Sequence, residues 1–153
     1  MSATEELILL VDDDVTGRTV RKLMLELHHH RVLAVGEAEE ALDTLRTEPV
    51  DLVILDYFLD GITGTELARQ MRKLKSYIPI LLLSGSGEIP HGTEYVDKYL
   101  CKLEPVDIIE KTIADLLHRD VAEVDQAIAS ISGRRAPQRQ AIPALAEMDA
   151  SNS

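Results

Sequence analysis

Two groups of aspartates follow short apolar runs in this chain, and their placement predicts a site for phosphoryl transfer. Asp56 closes the run Asp51–Asp56, and Asp12 and Asp13 directly follow the run Leu7–Val11. If these runs are buried parallel strands, their carboxyl ends meet at one edge of a sheet, where open α/β sheets bind ligands. Carboxylates brought so close together repel one another unless a cation lies between them. The acids therefore predict a divalent cation and a carboxylate nucleophile beside it.

A hydroxyl group and an ammonium group close two further apolar runs. Ser84 follows Ile78–Leu83, and Lys102 follows Tyr99–Cys101. A lysine supplies a flexible point charge that suits a phosphoryl oxygen, and a serine hydroxyl can donate a hydrogen bond to another oxygen. Together with the acids they form a set suited to phosphoryl transfer, which depends mainly on positioning and on stabilising charge.

Each acid in this set has a separate expected role. Asp56 is the expected nucleophile and would form an acyl phosphate. Asp13, with Asp12 helping through a water molecule, is expected to hold Mg²⁺, which prefers a few carboxylates together with waters and phosphate oxygens. Asp14 is expected to cap the helix that starts near Val15. Taken singly, these residues also fit ordinary turn, cap and surface positions, so the chemical prediction depends on their combination.

The predicted chemistry needs a sheet whose strands end at one edge. Five short apolar runs alternate with amphipathic stretches, which predicts an α/β fold of the (βα)5 type, a doubly wound parallel sheet with helices on both faces. In the flavodoxin-like strand order 2-1-3-4-5, the first and third strands are neighbours and the ligand crevice opens between them. The five runs are Leu7–Val11, Val32–Val35, Val50–Leu55, Ile78–Leu83 and Tyr99–Cys101.

Amphipathic stretches predict the helices between these strands. The first, about Val15–Leu27, carries an apolar stripe of the kind that faces a protein core. This stripe consists of Val20, Leu23, Met24 and Leu27. Two more helices are expected over Glu37–Thr47 and Thr65–Lys75. The fourth crossover, 84–97, contains three Gly and one Pro, so we expect only a loop or a single turn near Thr93–Asp97.

The last helix is expected to begin near Val106 and to extend beyond what one sheet needs for cover. Pro137 and Pro143 interrupt the polar end of the chain. We therefore predict a domain over residues 1–119, an extension of the last helix over 120–132 and a flexible tail over 133–153. The apolar stripe Val121–Ile131 could cover the domain, dock a partner or pair with a second copy, and we favour a homodimer through this helix.

The composition argues against several classes of function. The chain of 153 residues has 27 acidic and 16 basic residues and a net charge of −11, which disfavours a nucleic-acid surface. It contains no Trp and only 3% aromatic residues, so a platform for stacking bases is not expected. No apolar run reaches the length of a membrane span, and the N-terminus does not resemble a signal peptide. The single cysteine, Cys101, cannot form an internal disulfide, which fits a cytoplasmic protein.

In this combination of motifs, the chain resembles the receiver domain of two-component response regulators. Four motifs carry the resemblance, in order and each at a predicted strand end. They are Leu9–Asp14, Leu52–Asp56, Pro79–Gly85 and Tyr99–Lys102. The resemblance covers about residues 5–119 and implies a signalling switch that assists its own phosphorylation and dephosphorylation, rather than an enzyme acting on other substrates.

The resemblance implies a role for each residue of the site. Asp56 would accept a phosphoryl group from a phosphohistidine on a sensor histidine kinase or a histidine phosphotransfer protein. A Mg²⁺ ion would be held by Asp12, Asp13, Asp56 and the backbone carbonyl of Phe58. Ser84 would then move towards the phosphoryl group.

Ser84 and Tyr99 together would form the switch that the resemblance implies, because Tyr99 turns inward into the space that Ser84 releases. The output would be a downstream protein target rather than nucleic acid or a membrane. We see no recognisable output domain in the sequence and expect a stand-alone or detached receiver domain.

Three features depart from the usual receiver pattern. The family usually has proline directly after the lysine, whereas Lys102 is followed by Leu103 and the proline arrives at Pro105. The family often has proline four residues after the phosphoacceptor, where this chain has Asp60. The segment 84–102 is also shorter than usual and poor in helix-forming residues.

Two alternative functions are compatible with parts of the sequence. The segment Asp12–Thr16 also fits the first motif of haloacid-dehalogenase-type phosphatases, with Asp12 as nucleophile and Asp14 as general acid. Ser84 and Lys102 could fill that family's second and third motifs, but its fourth, acidic motif is missing and Asp56 would have no role. The displaced proline after Lys102 motivates the other alternative, a pseudo-receiver that binds a partner without taking a phosphoryl group.

Two further features have simple expected roles. The run His28–His30 is expected to be a solvated loop at the edge of the sheet away from the acids, since three consecutive histidines do not easily face one metal ion. Cys101 lies within an apolar run and is expected to be a small core residue.

Overall fold

The computed structural model describes residues 6–85 and 90–131, and in the last helix it describes side chains as far as position 118. The chain divides into two compact units, Met1–Ile113 and Ala114–Ser153. Every described strand lies in the first unit, and the described part of the second unit is helical.

Seven strands are described, and five of them form one parallel sheet. They are β1 (Leu7–Val11), β2 (Arg31–Val35), β3 (Leu52–Asp56), β4 (Phe58–Leu59), β5 (Ile62–Thr63), β6 (Ile80–Ser84) and β7 (Lys98–Cys101). The sheet has the order β2-β1-β3-β6-β7, and β4 and β5 form a separate antiparallel hairpin. Numbered without the hairpin, the five strands follow the predicted flavodoxin-like order 2-1-3-4-5, so the predicted fold class is confirmed. All residues of β1, β3 and β6 are buried, as expected for strands covered on both faces.

Within the described residues, four α-helices connect and follow the strands. They are α1 (Val15–Leu27), α2 (Ala38–Thr47), α3 (Gly64–Leu74) and α4 (Val106–Ile131). Asp14 caps α1 as predicted, because its side chain accepts a hydrogen bond from the Gly17 N–H at 2.7 Å. Thr63 caps α3 by accepting from the Glu66 N–H at 3.2 Å. None of the described helices has the length and apolar character needed to cross a membrane.

The apolar stripe predicted for α1 does not face the core of the domain. Its four members, Val20, Leu23, Met24 and Leu27, are between 38% and 75% exposed. The core instead takes Leu25, the one residue of α1 that is buried. The repeat of apolar residues correctly predicted a helix with one apolar face. The prediction of its direction was wrong, because periodicity identifies a face but not what that face contacts.

The fourth crossover contains one turn of 3₁₀ helix at Thr93–Tyr95, as predicted. Tyr95 and Val96 are partly buried against the main core. The helix α4 begins at Val106, also as predicted, and continues to Ile131. The side chains of the predicted apolar stripe Val121–Ile131 are not among those that the structure describes. The predicted tail over 133–153 lies outside the described residues.

The expectation of a fully solvated histidine run was wrong for His30. His28 and His29 are exposed, but the His30 side chain is only 10% exposed and its Nε2 lies 2.8 Å from Glu110 Oε1. His30 lies next to Arg31, which begins β2, and Glu110 belongs to α4. Three polar residues in a row indicate a loop, whereas the partner that allows His30 to be buried is 80 residues away in sequence. Cys101 is half-buried rather than fully in the core.

Candidate functional site

The acids predicted for the site meet at the carboxyl edge of the sheet. Strands β1 and β3 are neighbours, with Val11 opposite Leu55. Asp12 and Asp56 are the next residues along the two strands and therefore lie side by side. One carboxylate oxygen from each of Asp12, Asp13 and Asp56 lies within 4.8 Å of the other two. This is a donor set that suits a hard divalent cation, since such ions are bound by carboxylate oxygens.

The backbone and side chain of Asp12 are both held in place. The side chain is buried, and its Oδ1 accepts a hydrogen bond from the Asp14 N–H at 2.9 Å. The Asp12 N–H donates to the Val35 carbonyl at 3.1 Å, and its own carbonyl accepts from Arg18 Nη1 at 2.7 Å. Asp13, by contrast, is exposed. The pair therefore combines a fixed carboxylate with one that is accessible from solvent.

Asp56 is buried and has a cationic partner. Its Oδ2 lies 3.0 Å from Lys102 Nζ. Burial raises the pKa of the Asp56 carboxyl above its ordinary value, and the hydrogen bond and charge of Lys102 oppose this, while the negative charges of Asp12 and Asp13 add to it. Lys102 thus offsets part of the cost that burial and the two neighbouring acids impose on the charged form of this carboxyl.

Lys102 is directed at Asp56 although no proline follows it. Its backbone N–H donates to the Ser84 carbonyl at 2.8 Å, and the Glu104 N–H donates to the Cys101 carbonyl at 3.1 Å. These bonds extend the pairing between β6 and β7 and then turn the chain. Leu103 projects outward and is 77% exposed.

The residues expected to form the switch lie on β6 and β7. Ser84 ends β6 and is buried, and it lies beside the site because Leu83 is opposite Asp56 in the sheet. Tyr99 lies in β7 opposite Leu82 and is 46% exposed. The structure therefore brings Ser84 to the edge that carries the acids and leaves Tyr99 nearly half exposed.

After the β4–β5 hairpin, the chain packs closely against Asp56 at Gly64, the first residue of α3. The Gly64 N–H donates to the Tyr57 carbonyl at 2.6 Å. A Cβ atom on Gly64 would overlap with the Asp56 carbonyl oxygen and would lie 2.8 Å from Leu82 Cδ1. Glycine is therefore required at position 64, because the backbone there lies too close to the Asp56 carbonyl for any side chain. Phe58, expected to offer its carbonyl to Mg²⁺, begins this hairpin, and its side chain is 55% exposed.

Asp60 adds a further acid on the same side of the molecule. It is exposed and lines a surface depression together with Asp13 and the segment 36–39. The departure from proline at this position therefore increases the negative charge near the site, as expected.

Arg21 is a charged residue near the site that the sequence analysis did not identify. It is half-buried on α1, its Nη2 lies 3.5 Å from the Lys102 carbonyl oxygen, and it interacts electrostatically with Asp12 and Asp56. The available signal was its spacing, one helical turn after Gly17 and therefore on the face that begins beside the acids.

A family model for the response regulator receiver domain matches residues 8–123 of this chain. Two curated relatives are the transcriptional regulatory protein AfsQ1 of Streptomyces coelicolor, 32% identical over 76% of this chain and 53% of its own, and the transcriptional regulatory protein FixJ of Bradyrhizobium diazoefficiens, 31% identical over 79% and 56%. The chain thus spans about half the length of these curated relatives.

Solved structures support the same relationship. The response regulator protein TrrA of Thermotoga maritima, in complex with Mg²⁺ and beryllium fluoride, matches with a TM-score of 0.69 and 31% identity over 73% of this chain and 99% of its own. A CheY-like receiver domain protein of Methanospirillum hungatei has the same fold, with a TM-score of 0.72 and 24% identity over 78% of this chain and 99% of its own. The extent of the family match, together with the sheet order and the grouped acids, leads to one conclusion: this chain belongs to the response regulator receiver domain family of two-component signal transduction.

Proposed function

We propose that this receiver domain is an active phosphoacceptor, in which Asp56 takes a phosphoryl group from a phosphohistidine on a partner protein. The observation that carries the proposal is the contact between Lys102 Nζ and Asp56 Oδ2 at 3.0 Å, beside three clustered carboxylates. A conserved fold alone would not require a buried nucleophile, a cation directed at it and a carboxylate cluster at the same edge.

In the proposed reaction, a carboxylate oxygen of Asp56 attacks the phosphorus atom of the phosphohistidine. The O–P bond forms as the N–P bond breaks, and the imidazole of the donor leaves with the bonding electron pair and takes up a proton. Lys102 is close enough to turn from the carboxylate to an oxygen of the transferred group, and Ser84 would donate a hydrogen bond to another oxygen. These residues contribute by position and charge, which dominate phosphoryl transfer.

The donor set fits Mg²⁺, held by Asp12, Asp13, Asp56 and the backbone carbonyl of Phe58. Bound there, Mg²⁺ would neutralise charge on the acids and on the incoming phosphoryl oxygens. The related TrrA structure was obtained with Mg²⁺ and beryllium fluoride, which supports this assignment. In the switch that follows, Ser84 would move towards the phosphoryl group and Tyr99, nearly half exposed here, would turn inward.

The proposed phosphodonor is a sensor histidine kinase or a histidine phosphotransfer protein. A structure of TrrA together with the histidine kinase ThkA is among the related structures, with a TM-score of 0.68 and 31% identity over 73% of this chain and 98% of the related chain. On this chain, the exposed apolar face of α1 provides a surface for such a partner. Val20 and Met24 of that face line the same cavity as Lys102, so a partner bound there would lie next to the nucleophile.

We further propose that the phosphorylated domain acts on a downstream protein target. The fourth crossover and the last helix are the surfaces that we expect to change, because Tyr99 lies between them in the chain. The acidic net charge of −11 agrees with a protein target rather than nucleic acid.

The alternatives have less support from the geometry. A pseudo-receiver was motivated by the missing proline after Lys102, yet the lysine nevertheless reaches Asp56. For a phosphatase that uses Asp12, the nucleophile would be a buried carboxylate that already accepts a backbone hydrogen bond, while Asp56 and its contact with Lys102 would have no role.

The proposal is tested by incubating the protein with Mg²⁺ and a small phosphodonor, such as acetyl phosphate, and by mapping the adduct by mass spectrometry. We expect one phosphoryl group on Asp56, absent from Asp56→Asn and unchanged in the control variant Asp60→Asn. Asp12→Asn should regain modification of Asp56 when the Mg²⁺ concentration is raised. An adduct on Asp12, or no adduct at all in the unmodified protein, would overturn the proposal.

A further inference from the structure

Arg21 lies on the face of α1 that is directed towards the acids. One turn earlier on this face is Gly17, where a Cβ atom would lie 3.4 Å from Asp12 Oδ2. Residues four positions apart lie on the same side of a helix. Arg21 therefore lies on the same face as Gly17, one turn farther from the edge of the sheet that carries the acids. It is half-buried there, and neither the metal site nor the nucleophile described above uses it.

The guanidinium of Arg21 reaches the connection that carries Lys102. Its Nη2 lies 3.5 Å from the Lys102 carbonyl oxygen, longer than an ordinary N–H···O hydrogen bond, so the contact is weak and mainly electrostatic. Arg21, Lys102 and Glu104 line a cavity of about 230 Å³ between α1 and the segment that joins β7 to α4. Arg21 thus bridges these two parts of the domain behind the phosphoacceptor.

The electrostatic surroundings of Arg21 include both buried acids of the site. Burial lowers the pKa of its guanidinium, whereas the charges of Asp12 and Asp56 raise it. An arginine remains charged under these conditions. A permanent positive charge therefore lies in a partly desolvated position, where its field on the two carboxylates is less screened than at the surface.

We propose that Arg21 is a positioning residue that helps to hold Lys102 through a long contact with its carbonyl group and supplies a further positive charge behind Asp12 and Asp56, in addition to those of Lys102 and Arg18. The inference rests on the proposed function, because it concerns the same metal and phosphoryl sites. A fixed positive charge repels an incoming cation and attracts an incoming anion. Arg21 therefore biases the site against the free metal ion and in favour of the phosphoryl group.

If the charge of Arg21 matters, removing it should shift the affinities for the cation and for the anion in opposite directions. A purely structural role would not produce opposite shifts. In Arg21→Met, Mg²⁺ should bind more tightly, by about threefold to tenfold, because a nearby repulsive charge is gone. Beryllium fluoride, measured at saturating Mg²⁺, should bind more weakly by a similar factor. A variant that only loosened the connection after β7 would weaken both ligands, because both depend on an intact site.

The experiment measures both affinities by calorimetric titration in the full chain, with Mg²⁺ alone and then with beryllium fluoride at saturating Mg²⁺. Arg21→Lys keeps the charge and should return the Mg²⁺ affinity to that of the unmodified protein. Lys22→Met removes a positive charge from the next position of α1, where Lys22 pairs with Glu26, and should change neither affinity.

The outcomes separate this inference from the proposed function. Opposite shifts of the two affinities in Arg21→Met, with recovery in Arg21→Lys, support the role of Arg21. Shifts in the same direction, or no shift in either affinity, overturn it. If the unmodified protein itself binds neither Mg²⁺ nor beryllium fluoride, the proposed function fails, independently of Arg21.

Discussion

Lys102 Nζ lies 3.0 Å from Asp56 Oδ2, although Leu103 rather than proline follows the lysine. The pair joins the ends of β3 and β7, which are separated by β6 in the sheet. The backbone bond from Lys102 to Ser84 fixes the point from which the lysine side chain starts. Strand pairing therefore directs the ammonium group, and this relationship leads to the first prediction.

Replacing Lys102 with alanine should slow phosphorylation of Asp56 by a small phosphodonor about 100-fold or more, the effect expected when one charged donor to the reacting group is lost. The rate is measured by quantifying the acyl phosphate over time at saturating Mg²⁺. Lys111→Ala, which removes a lysine from α4, serves as a charge control and should react at the normal rate. A Lys102→Ala variant that reacts as fast as the unmodified protein would exclude a role for the ammonium group.

Millimolar Mg²⁺ should raise the melting temperature of the unmodified protein. The three carboxylates within 4.8 Å of one another repel one another without a cation. A ligand that binds only the folded state adds about 2.7 kcal/mol of stability when its concentration is 100 times its Kd. Thermal scans with and without Mg²⁺ measure the shift. Asp13→Asn should reduce it strongly, whereas Asp60→Asn should retain it. The absence of any shift in the unmodified protein would count against the metal site.

Asp56→Asn should stabilise the metal-free protein at neutral pH but not in acid. Burial raises the pKa of Asp56 in the folded state above its ordinary value of 3.8, so the folded state binds this proton more tightly than the unfolded chain. Protonation of Asp56 therefore favours the folded state. This contribution to the free energy of unfolding is fully present below the ordinary pKa and is lost as the pH rises through the raised pKa of the folded state. Asparagine carries no such charge, so the advantage of the variant should grow with pH.

This pH dependence is measured by urea unfolding of both proteins in chelator at a series of pH values. The difference in unfolding free energy between them should be smallest near pH 3 and should reach a plateau above the folded-state pKa of Asp56. A difference that stays constant with pH, or that decreases as the pH rises, would contradict the direction of the shift.

Gly64→Ala should destabilise the domain by about 1–3 kcal/mol, the usual cost of adding a methyl group where no space exists. The new Cβ would overlap with the Asp56 carbonyl and press on Leu82. Gly61→Asn is the matched control, because a Cβ atom at position 61 meets nothing within 4 Å and the φ of 80° there is one that asparagine tolerates. Chemical unfolding of both variants measures the costs, and an equal cost at the two positions would refute the steric argument.

Glu110→Ala should destabilise the domain by about 1–3 kcal/mol, because it leaves Nε2 of the buried His30 without its hydrogen-bond partner. His30→Ala should have a similar cost for the reciprocal reason. The double variant should cost clearly less than the sum of the two, as measured by a double-mutant cycle. His29→Asn, at an exposed position with a φ of 71°, should be nearly neutral. Additive costs would indicate that the two side chains act independently.

The sequence predicted the central strands well because β1, β3 and β6 are continuous apolar runs that end in a polar residue or are directly followed by one. Such runs require burial on both faces, and the acids at their ends indicate the order that brings Asp12 next to Asp56. The predicted strand order is therefore the arrangement in which the chemical groups meet.

Features that depend on contacts between distant residues were not predictable in this way. The partner of His30 is 80 residues away and the carbonyl contacted by Arg21 is 81 residues away, so neither contact leaves a local pattern. The prediction that the apolar face of α1 packs on the core was also wrong, because a helix has the same periodicity whether its apolar face is exposed or packs on its own sheet.

The distance along the chain between Asp56 and Lys102, 46 residues, has a consequence during synthesis. A nascent chain that has not yet released β7 from the ribosome has Asp56 but lacks the ammonium group and the edge strand that carries it. Such a chain cannot assemble the pair. If Asp56 accepts a phosphoryl group as proposed, unfinished or unfolded copies would therefore react poorly, and phosphorylation would depend on complete translation and folding.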